Sequence, residues 1–101
     1  MSNYRIYKFL LESIDGFQTV LMPVGPGFGE PEVLSFGLDP QGYHQLCIWA
    51  SIIPHEIATR ARVLYLAPTG GQPPDCDSRF INTTNDANYI VHCWDCGWKK
   101  L

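Results

Sequence analysis

The sequence predicts an all-β fold, a compact antiparallel sandwich or small barrel of roughly six or seven short strands. Hydrophobic residues make up 46% of the 101 residues and charged residues only 17%, which excludes intrinsic disorder and favours one domain over residues 1–101. Short apolar and β-branched segments are separated by turn residues, which include 9 Gly and 8 Pro. Only residues 54–60 have a helical composition, and they suffice for a single turn.

The predicted strands alternate with turn signals along the chain. Tyr4–Ser13 is apolar on both faces, which is typical of a strand covered on both sides. Asp15-Gly16 then predicts a tight hairpin that returns the chain into the second strand. Tyr43–Ile53 contains the longest apolar run and is expected to be the central strand, with Trp49 in the core. The other strands are predicted at Phe17–Met22, Glu32–Leu38, Arg62–Ala67, Arg79–Thr83 and Asn88–Trp94.

The charge balance and the apolar pattern limit the cellular compartments and the classes of partner that can be expected. Seven basic and ten acidic residues give a net charge of -3, whereas proteins that hold nucleic acid through its phosphates usually carry a basic surplus. No apolar run reaches the roughly 18–20 residues of a membrane helix, and Met1–Lys8 lacks the apolar centre of a signal peptide. We therefore expect a cytoplasmic protein with no direct nucleic-acid or membrane partner, and with its 4 cysteines as thiols.

A glycine-rich segment resembles a phosphate-binding loop only superficially. Gly25, Gly27 and Gly29 occupy every second position, as glycines of a phosphate-binding loop can. However, Pro26 removes one backbone N–H donor and Glu30 would repel a phosphate. A plain connection between strands is expected there. No cofactor is predicted, and no nucleophile and general base can be paired from the sequence, so no catalytic residue is assigned.

The sharpest local motif is the CxxC pair at Cys93 and Cys96. Such a pair can supply half of a tetrahedral zinc site or form a redox couple. Zinc would need two further ligands, and the candidates are Cys76 and either His44 or His55. Because a lone CxxC pair is weak evidence, buried or incidental thiols are the expectation. A zinc-stabilised module through Cys76, Cys93 and Cys96 is the alternative.

A candidate contact surface lies near the end of the sequence. Trp94 and Trp98, together with Lys99 and Lys100, form an aromatic and basic tail. Exposed tryptophans are enriched at the energetic centres of protein interfaces, so this tail is the first candidate for a binding surface. The alternative is a terminal segment docked on its own sheet.

A second candidate site surrounds His92, which shares a strand face with Trp94. A histidine in that position is usually a hydrogen-bonded residue at the margin of the core. The alternative is a pocket in which His92, Tyr65 and the loop backbone of Thr69, Gly70 and Gly71 hold an anion or a base.

Several short motifs follow one another in a recognisable order. They are Ile6-Tyr7-Lys8 with Leu11, Gln18-Thr19-Val20-Leu21-Met22-Pro23 with Gly25, Leu46-Cys47-Ile48-Trp49-Ala50, Thr69-Gly70 with Pro73, Ile81-Asn82-Thr83, and Val91-His92. This order resembles the IYKxxL, QxVxMPxG, LWA, TGxPxP and VxH pattern of a family of small uncharacterised tailed-bacteriophage proteins, a domain of unknown function. The resemblance implies an all-β protein in the cytoplasm of an infected bacterium, without established catalytic residues. Residues 29–42 and the tail at residues 96–101 depart from the family pattern.

These observations favour a non-enzymatic binding protein that engages a bacterial host protein. Counter-defence, in the manner of an anti-CRISPR inhibitor, is a setting suggested by analogy with other phage proteins. The alternatives are a small-ligand module, such as a sponge for a nucleotide immune signal, and the zinc-stabilised module. Homo-oligomer formation is a further expectation to test, because open edge strands can be protected by a second copy.

Overall fold

The chain forms two antiparallel β-sheets packed face to face, and the computed structural model describes residues 4–24, 31–42, 45–54, 58–86 and 89–100. One sheet has the order β1-β4-β3 and the other the order β2-β5-β7-β6. The strands are β1 (Arg5–Leu10), β2 (Gly16–Val24), β3 (Glu32–Leu38), β4 (Leu46–Ile52), β5 (Ala58–Pro68), β6 (Arg79–Asp86) and β7 (Tyr89–Trp98). The all-β fold class is confirmed, and over the described ranges the sheets form a sandwich rather than a closed barrel.

The core lies between the two sheets because alternate residues of each strand point inward. β4 shows the pattern clearly, since its even-numbered residues are buried within the hydrophobic cluster. The shortest dimension of the molecule, 20 Å, fits two stacked sheets with their side chains. The buried cluster consists of Leu11, Val20, Met22, Val33, Phe36, Leu46, Ile48, Ala50, Ile52, Leu64, Leu66, Val91 and Cys93.

Two expectations about burial are wrong, one because of strand alternation and the other because of the strand order in the sheet. Trp49 is an odd-numbered residue of β4, so it lies half-buried on the outer face, where its ring packs over Gly37. β1 is an edge strand rather than a covered one, and Ile6 is 65% exposed. The apolar residues on both faces of β1 therefore mark an open edge and not a buried strand.

The expected hairpin at Asp15-Gly16 is also wrong, because β1 and β2 belong to different sheets. The Gln18 side chain stabilises the connection between them. Its Oε1 accepts hydrogen bonds from the backbone N–H groups of Glu12 (3.0 Å) and Ser13 (3.3 Å), and its Nε2 donates to the Ser13 carbonyl (2.8 Å). These bonds turn the chain across the sandwich instead of back along the same sheet.

The expected helical turn at residues 54–60 is not formed by residues 58–60, which belong to β5. Residues 55–57 lie outside the described residues, as do Gly25, Gly27 and Gly29 of the glycine-rich loop. Nowhere in the described part of the chain is there a helix long and apolar enough to cross a membrane.

Side-chain hydrogen bonds join the two sheets along one side of the sandwich. Asn82 of β6 accepts the Phe36 N–H at 2.8 Å and donates to the Phe36 carbonyl at 2.7 Å, and Arg79 donates to the Val33 carbonyl at 2.7 Å. These bonds satisfy backbone groups on the edge of β3. The opposite side of the sandwich is formed by β1 and β2, which do not pair with each other.

Candidate functional site

The outer face of the four-stranded sheet carries one aromatic residue from each strand. Phe17 of β2 lies opposite Tyr65 of β5, Tyr65 lies opposite Trp94 of β7, and Trp94 lies opposite Phe80 of β6. Tyr65 and Trp94 point outward because the residues on either side of them in β5 and β7 point into the core. Phe17 and Phe80 lie directly opposite them and point the same way. We call Phe17, Tyr65, Trp94 and Phe80 the aromatic row; with three strand spacings of about 4.8 Å it is about 14 Å wide.

The rings of the aromatic row pack edge to face along its whole width. The ring centroids of Phe17 and Tyr65 are 4.7 Å apart, those of Tyr65 and Trp94 5.9 Å, and those of Trp94 and Phe80 5.4 Å, with interplanar angles of 60–64°. Each such pair contributes about 0.5–1.5 kcal/mol beyond the area it buries. Neighbouring rings therefore hold one another in place, while Phe17 and Phe80 stay 59% and 49% exposed.

His92 lies beside the aromatic row on the same face of the sheet, with its ring centroid 6.3 Å from that of Trp94 and 6.5 Å from that of Phe80. Both ring nitrogens have hydrogen-bond partners. Nδ1 lies 2.7 Å from the Thr83 hydroxyl, and Nε2 lies 2.9 Å from the Thr69 hydroxyl. The imidazole is thus fixed in orientation by two threonines, as expected for a hydrogen-bonded residue at the margin of the core.

The loop after β5 folds back over this face and meets the residues predicted around His92. The Thr69 N–H donates to the Ile90 carbonyl at 2.8 Å, and the Tyr65 hydroxyl donates to the Gln72 carbonyl at 3.0 Å. Gly71 closes the turn by donating its N–H to the Pro68 carbonyl at 2.9 Å, and a Cβ there would lie only 3.1 Å from the same oxygen.

Thr69 therefore contacts His92 directly, and Tyr65 contacts the same loop through the Gln72 carbonyl. Gly70, with a φ of +98°, and Gly71 form the turn that positions the loop. The hydroxyl and imidazole groups in this cluster are already bonded to one another or to the loop backbone, so the cluster fixes the loop beside the aromatic row.

Trp98 is separated from Trp94 by a β-bulge. The register between β5 and β7 shifts near Gly97, whose φ is +83°, so Trp98 points inward and packs against the core while Trp94 points outward. The guanidinium groups of Arg60 and Arg62 lie 4.9 Å and 4.6 Å from the Trp98 ring centroid. Trp98 matches the alternative of a segment docked on its own sheet, and β7 continues through it.

Lys99 and Lys100 lie at the end of the sheet where β5 begins, away from the aromatic row. The Lys99 N–H donates to the Ala61 carbonyl at 2.8 Å. With Thr59, Arg60 and Ala61, the two lysines line a groove of about 280 Å³. The aromatic and basic residues that the sequence placed in one tail therefore occupy two separate places.

A buried ion pair holds the bulge in place. The Asp95 carboxylate accepts two hydrogen bonds from Arg62, at 2.9 Å and 2.7 Å, and one from the Gly97 N–H at 2.9 Å. Burial would raise the pKa of the Asp95 carboxyl, but these bonds and the charges of Arg62 and Arg79 hold it below its ordinary value of 3.8. Asp95 is thus a charged structural residue at the end of the sandwich.

The four cysteines are free thiols that occupy different environments. Cys93 points into the core, where burial, together with the nearby Asp95 and Cys96, raises the pKa of its thiol to about 12. Cys96 lies on the other face of β7, and burial together with a contact to Cys76 raises its pKa to about 12.

The two thiols of the CxxC pair therefore lie on opposite faces of β7. Among the described residues, no three His, Cys, Asp or Glu side chains are grouped to hold a metal ion. His44 and His55, the histidines considered as further zinc ligands, lie outside the described residues.

Sequence reasoning missed Phe17 and Phe80 as members of the candidate site. Each is a single aromatic residue in a short strand, and only the pairing register brings them into line with Tyr65 and Trp94. What the arrangement offers chemically is a rigid, largely apolar contact surface.

The chain was compared with models of protein families, with curated proteins and with solved structures, and none of the three comparisons finds a match.

Proposed function

We propose that the protein is a non-enzymatic binding protein whose aromatic row docks on the surface of another protein. The observation that carries this proposal is the alignment of four aromatic side chains across all four strands of one sheet. Tyrosine and tryptophan dominate the energetic centres of protein interfaces. The rings already pack against one another, so little side-chain entropy is lost when a partner binds.

The chemistry of this face favours a protein partner over nucleic acid. Proteins that stack bases on aromatic residues combine them with a positively charged groove along the phosphates. The chain has a net charge of -3, and Lys99 and Lys100 lie with Thr59, Arg60 and Ala61, away from the aromatic row. A small-ligand function has less support, because both nitrogens of His92 are occupied by Thr69 and Thr83.

The sequence resemblance supplies the setting of this proposal. A phage protein that acts in the cytoplasm of an infected bacterium would meet host proteins as its partners, and inhibition of a host defence protein is the activity we propose. The mode of inhibition would be occlusion of a host surface, which requires no catalytic residue. The low charge of the chain favours recognition by shape and aromatic contact over long-range attraction.

Affinity capture from bacterial lysate tests the proposal. The bait is the wild-type chain, the double variant Phe17→Ala/Phe80→Ala, or the control Ile6→Ala, which removes an exposed apolar side chain outside the row. We expect one protein at near-stoichiometric yield on the wild-type and control baits. The double variant should bind it about 30-fold more weakly, since loss of a hot spot costs about 2 kcal/mol. Equal recovery on all three baits would contradict the proposal.

A further inference from the structure

Among the described residues, no strand pairs with one edge of β2. β2 is the outermost strand of the four-stranded sheet and pairs with β5 along its whole length, from Gly16 opposite Leu66 to Val24 opposite Ala58. Its far edge does not pair with β1, which belongs to the other sheet. An uncovered edge presents backbone donors and acceptors to any strand that approaches it.

The hydrogen bonds of β5 show which residues of β2 present those groups. The Ala61 carbonyl accepts the Lys99 N–H at 2.8 Å, and the Thr69 N–H donates to the Ile90 carbonyl at 2.8 Å. Odd-numbered residues of β5 therefore direct their backbone groups toward β7. Their partners in β2, including Thr19 and Leu21, form non-hydrogen-bonded pairs with β5, and their N–H and C=O groups point away from the sheet.

Pro23 is consistent with this assignment. It lies opposite Thr59, another odd-numbered residue of β5, so it occupies a position where β5 requires no N–H donor. Within the described residues, no hydrogen bond reaches the outward backbone groups of Phe17, Thr19 or Leu21. Leu21 is also 65% exposed, so an apolar side chain accompanies these free groups.

β2 lacks the features that protect the other edges of the sandwich. Its sequence, GFQTVLMPV, contains no charged residue. β1 carries Lys8, whose ammonium group lies 2.7 Å from the Asp39 carboxylate and would resist burial under an added strand. The edge of β3 is covered by the side chains of Asn82 and Arg79. Of the described edges of β1, β2 and β3, the edge of β2 is therefore the one without such protection.

We propose that β2 pairs antiparallel with β2 of a second copy of this chain, about a two-fold axis at Val20. This register places Thr19 opposite Leu21 of the second copy, and both residues direct their backbone groups into the new interface. It forms about six hydrogen bonds, with Pro23 of each copy contributing only its carbonyl. The product is one continuous sheet of eight strands.

A second copy fits this edge because the pairing is self-complementary. The register joins odd-numbered residues to odd-numbered residues, so Phe17 and Leu21 of both copies share the outer face, and the core-facing residues keep the inner face. Since the strand itself is uncharged, no like charges stand opposite each other within the paired strands. An isologous contact of this kind closes as a dimer and does not propagate.

Sedimentation over a wide concentration range tests the proposal. We expect the wild-type chain to reach twice its mass of 11.4 kDa. Leu21→Lys and Thr19→Lys each add a charge to the β2 edge and should sediment as monomers. The control Ile6→Lys adds the same charge to the exposed edge of β1 and should stay dimeric. Circular dichroism should show that each variant is folded.

Amide hydrogen exchange gives a second, residue-specific readout. In the wild-type dimer, the amides of Phe17, Thr19 and Leu21 should be protected from exchange. In Leu21→Lys, the amides of Phe17 and Thr19 should exchange fast, whereas those of Gln18 and Val20, which bond to β5, should stay protected. A wild-type chain that sediments as a monomer at every concentration would overturn the proposal, as would a dimer that survives both β2 substitutions. Phe80→Ala should stay dimeric, so a failure of partner binding and a failure of dimer formation are distinguishable.

Discussion

Removal of the Asp95 charge is expected to destabilise the fold strongly. In Asp95→Asn the side chain keeps its shape and can still accept the Gly97 N–H, but Arg62 loses its counter-charge and one of its two hydrogen bonds. The side chains of Arg62 and Asp95 are only 13% and 3% exposed, so water cannot replace the carboxylate. Breaking a buried pair by removing one partner costs 3–5 kcal/mol, and the amide retained here places the cost at about 3 kcal/mol.

That loss is large for a domain of this size. A chain of 101 residues has a free energy of unfolding of about 5–15 kcal/mol, so about 3 kcal/mol lowers Tm by roughly 12–24 °C. Urea unfolding followed by tryptophan fluorescence measures the difference. The control is Asp77→Asn, which neutralises an exposed carboxylate in the loop before β6. A free energy of unfolding for Asp95→Asn within about 0.5 kcal/mol of wild type would refute this account of the ion pair.

The same pair predicts the direction of the pH dependence. The folded-state pKa of Asp95 lies below its ordinary value of 3.8, so its charge contributes stability above that pH. This contribution is lost as the pH falls through the folded-state pKa. The gap in unfolding free energy between wild type and Asp95→Asn should therefore be constant near neutral pH and narrow below pH 3.8. A gap that widens on acidification would contradict the assignment.

Two further predictions concern the edges and the thiols. Asn82→Ala removes both hydrogen bonds to Phe36 and should lower the free energy of unfolding by about 2 kcal/mol, whereas the exposed control Asn85→Ala should change it by less than about 0.5 kcal/mol. Alkylation of the folded protein near neutral pH, followed by mass spectrometry, should modify Cys76 first because it is exposed. Modification of Cys93 before unfolding would contradict its placement in the core.

The strands were predictable from the sequence, but their partners were not. The turn residues around Tyr43–Ile53 and the apolar content of that segment indicated a central strand, and β4 is the middle strand of its sheet. The connection after β1, in contrast, was not predictable from the local sequence. Asp15-Gly16 has hairpin composition, yet the Gln18 side chain bonds Glu12 and Ser13 and directs the chain to the other sheet. A contact of this kind involves a side chain six residues away, which turn propensities do not include.

The candidate site was predicted in part. Tyr65, Trp94 and His92 were singled out and do lie on one face, because residues two apart on a strand point the same way. Trp98 was grouped with Trp94, Lys99 and Lys100 as one terminal aromatic and basic tail, but the bulge at Gly97 places the two tryptophans on opposite faces. Bulges and cross-strand register depend on tertiary packing, so a single sequence does not reveal them.

Site-specific photocrosslinking in bacteria tests the aromatic row most directly. A photoreactive phenylalanine analogue replaces Phe80, which is on the row, or Leu34, which is an exposed apolar residue of β3. We expect the analogue at position 80 to give one discrete covalent adduct with another protein, and the analogue at position 34 to give none. A discrete adduct from position 34 with none from position 80 would contradict the claim that this protein binds its partner through the aromatic row.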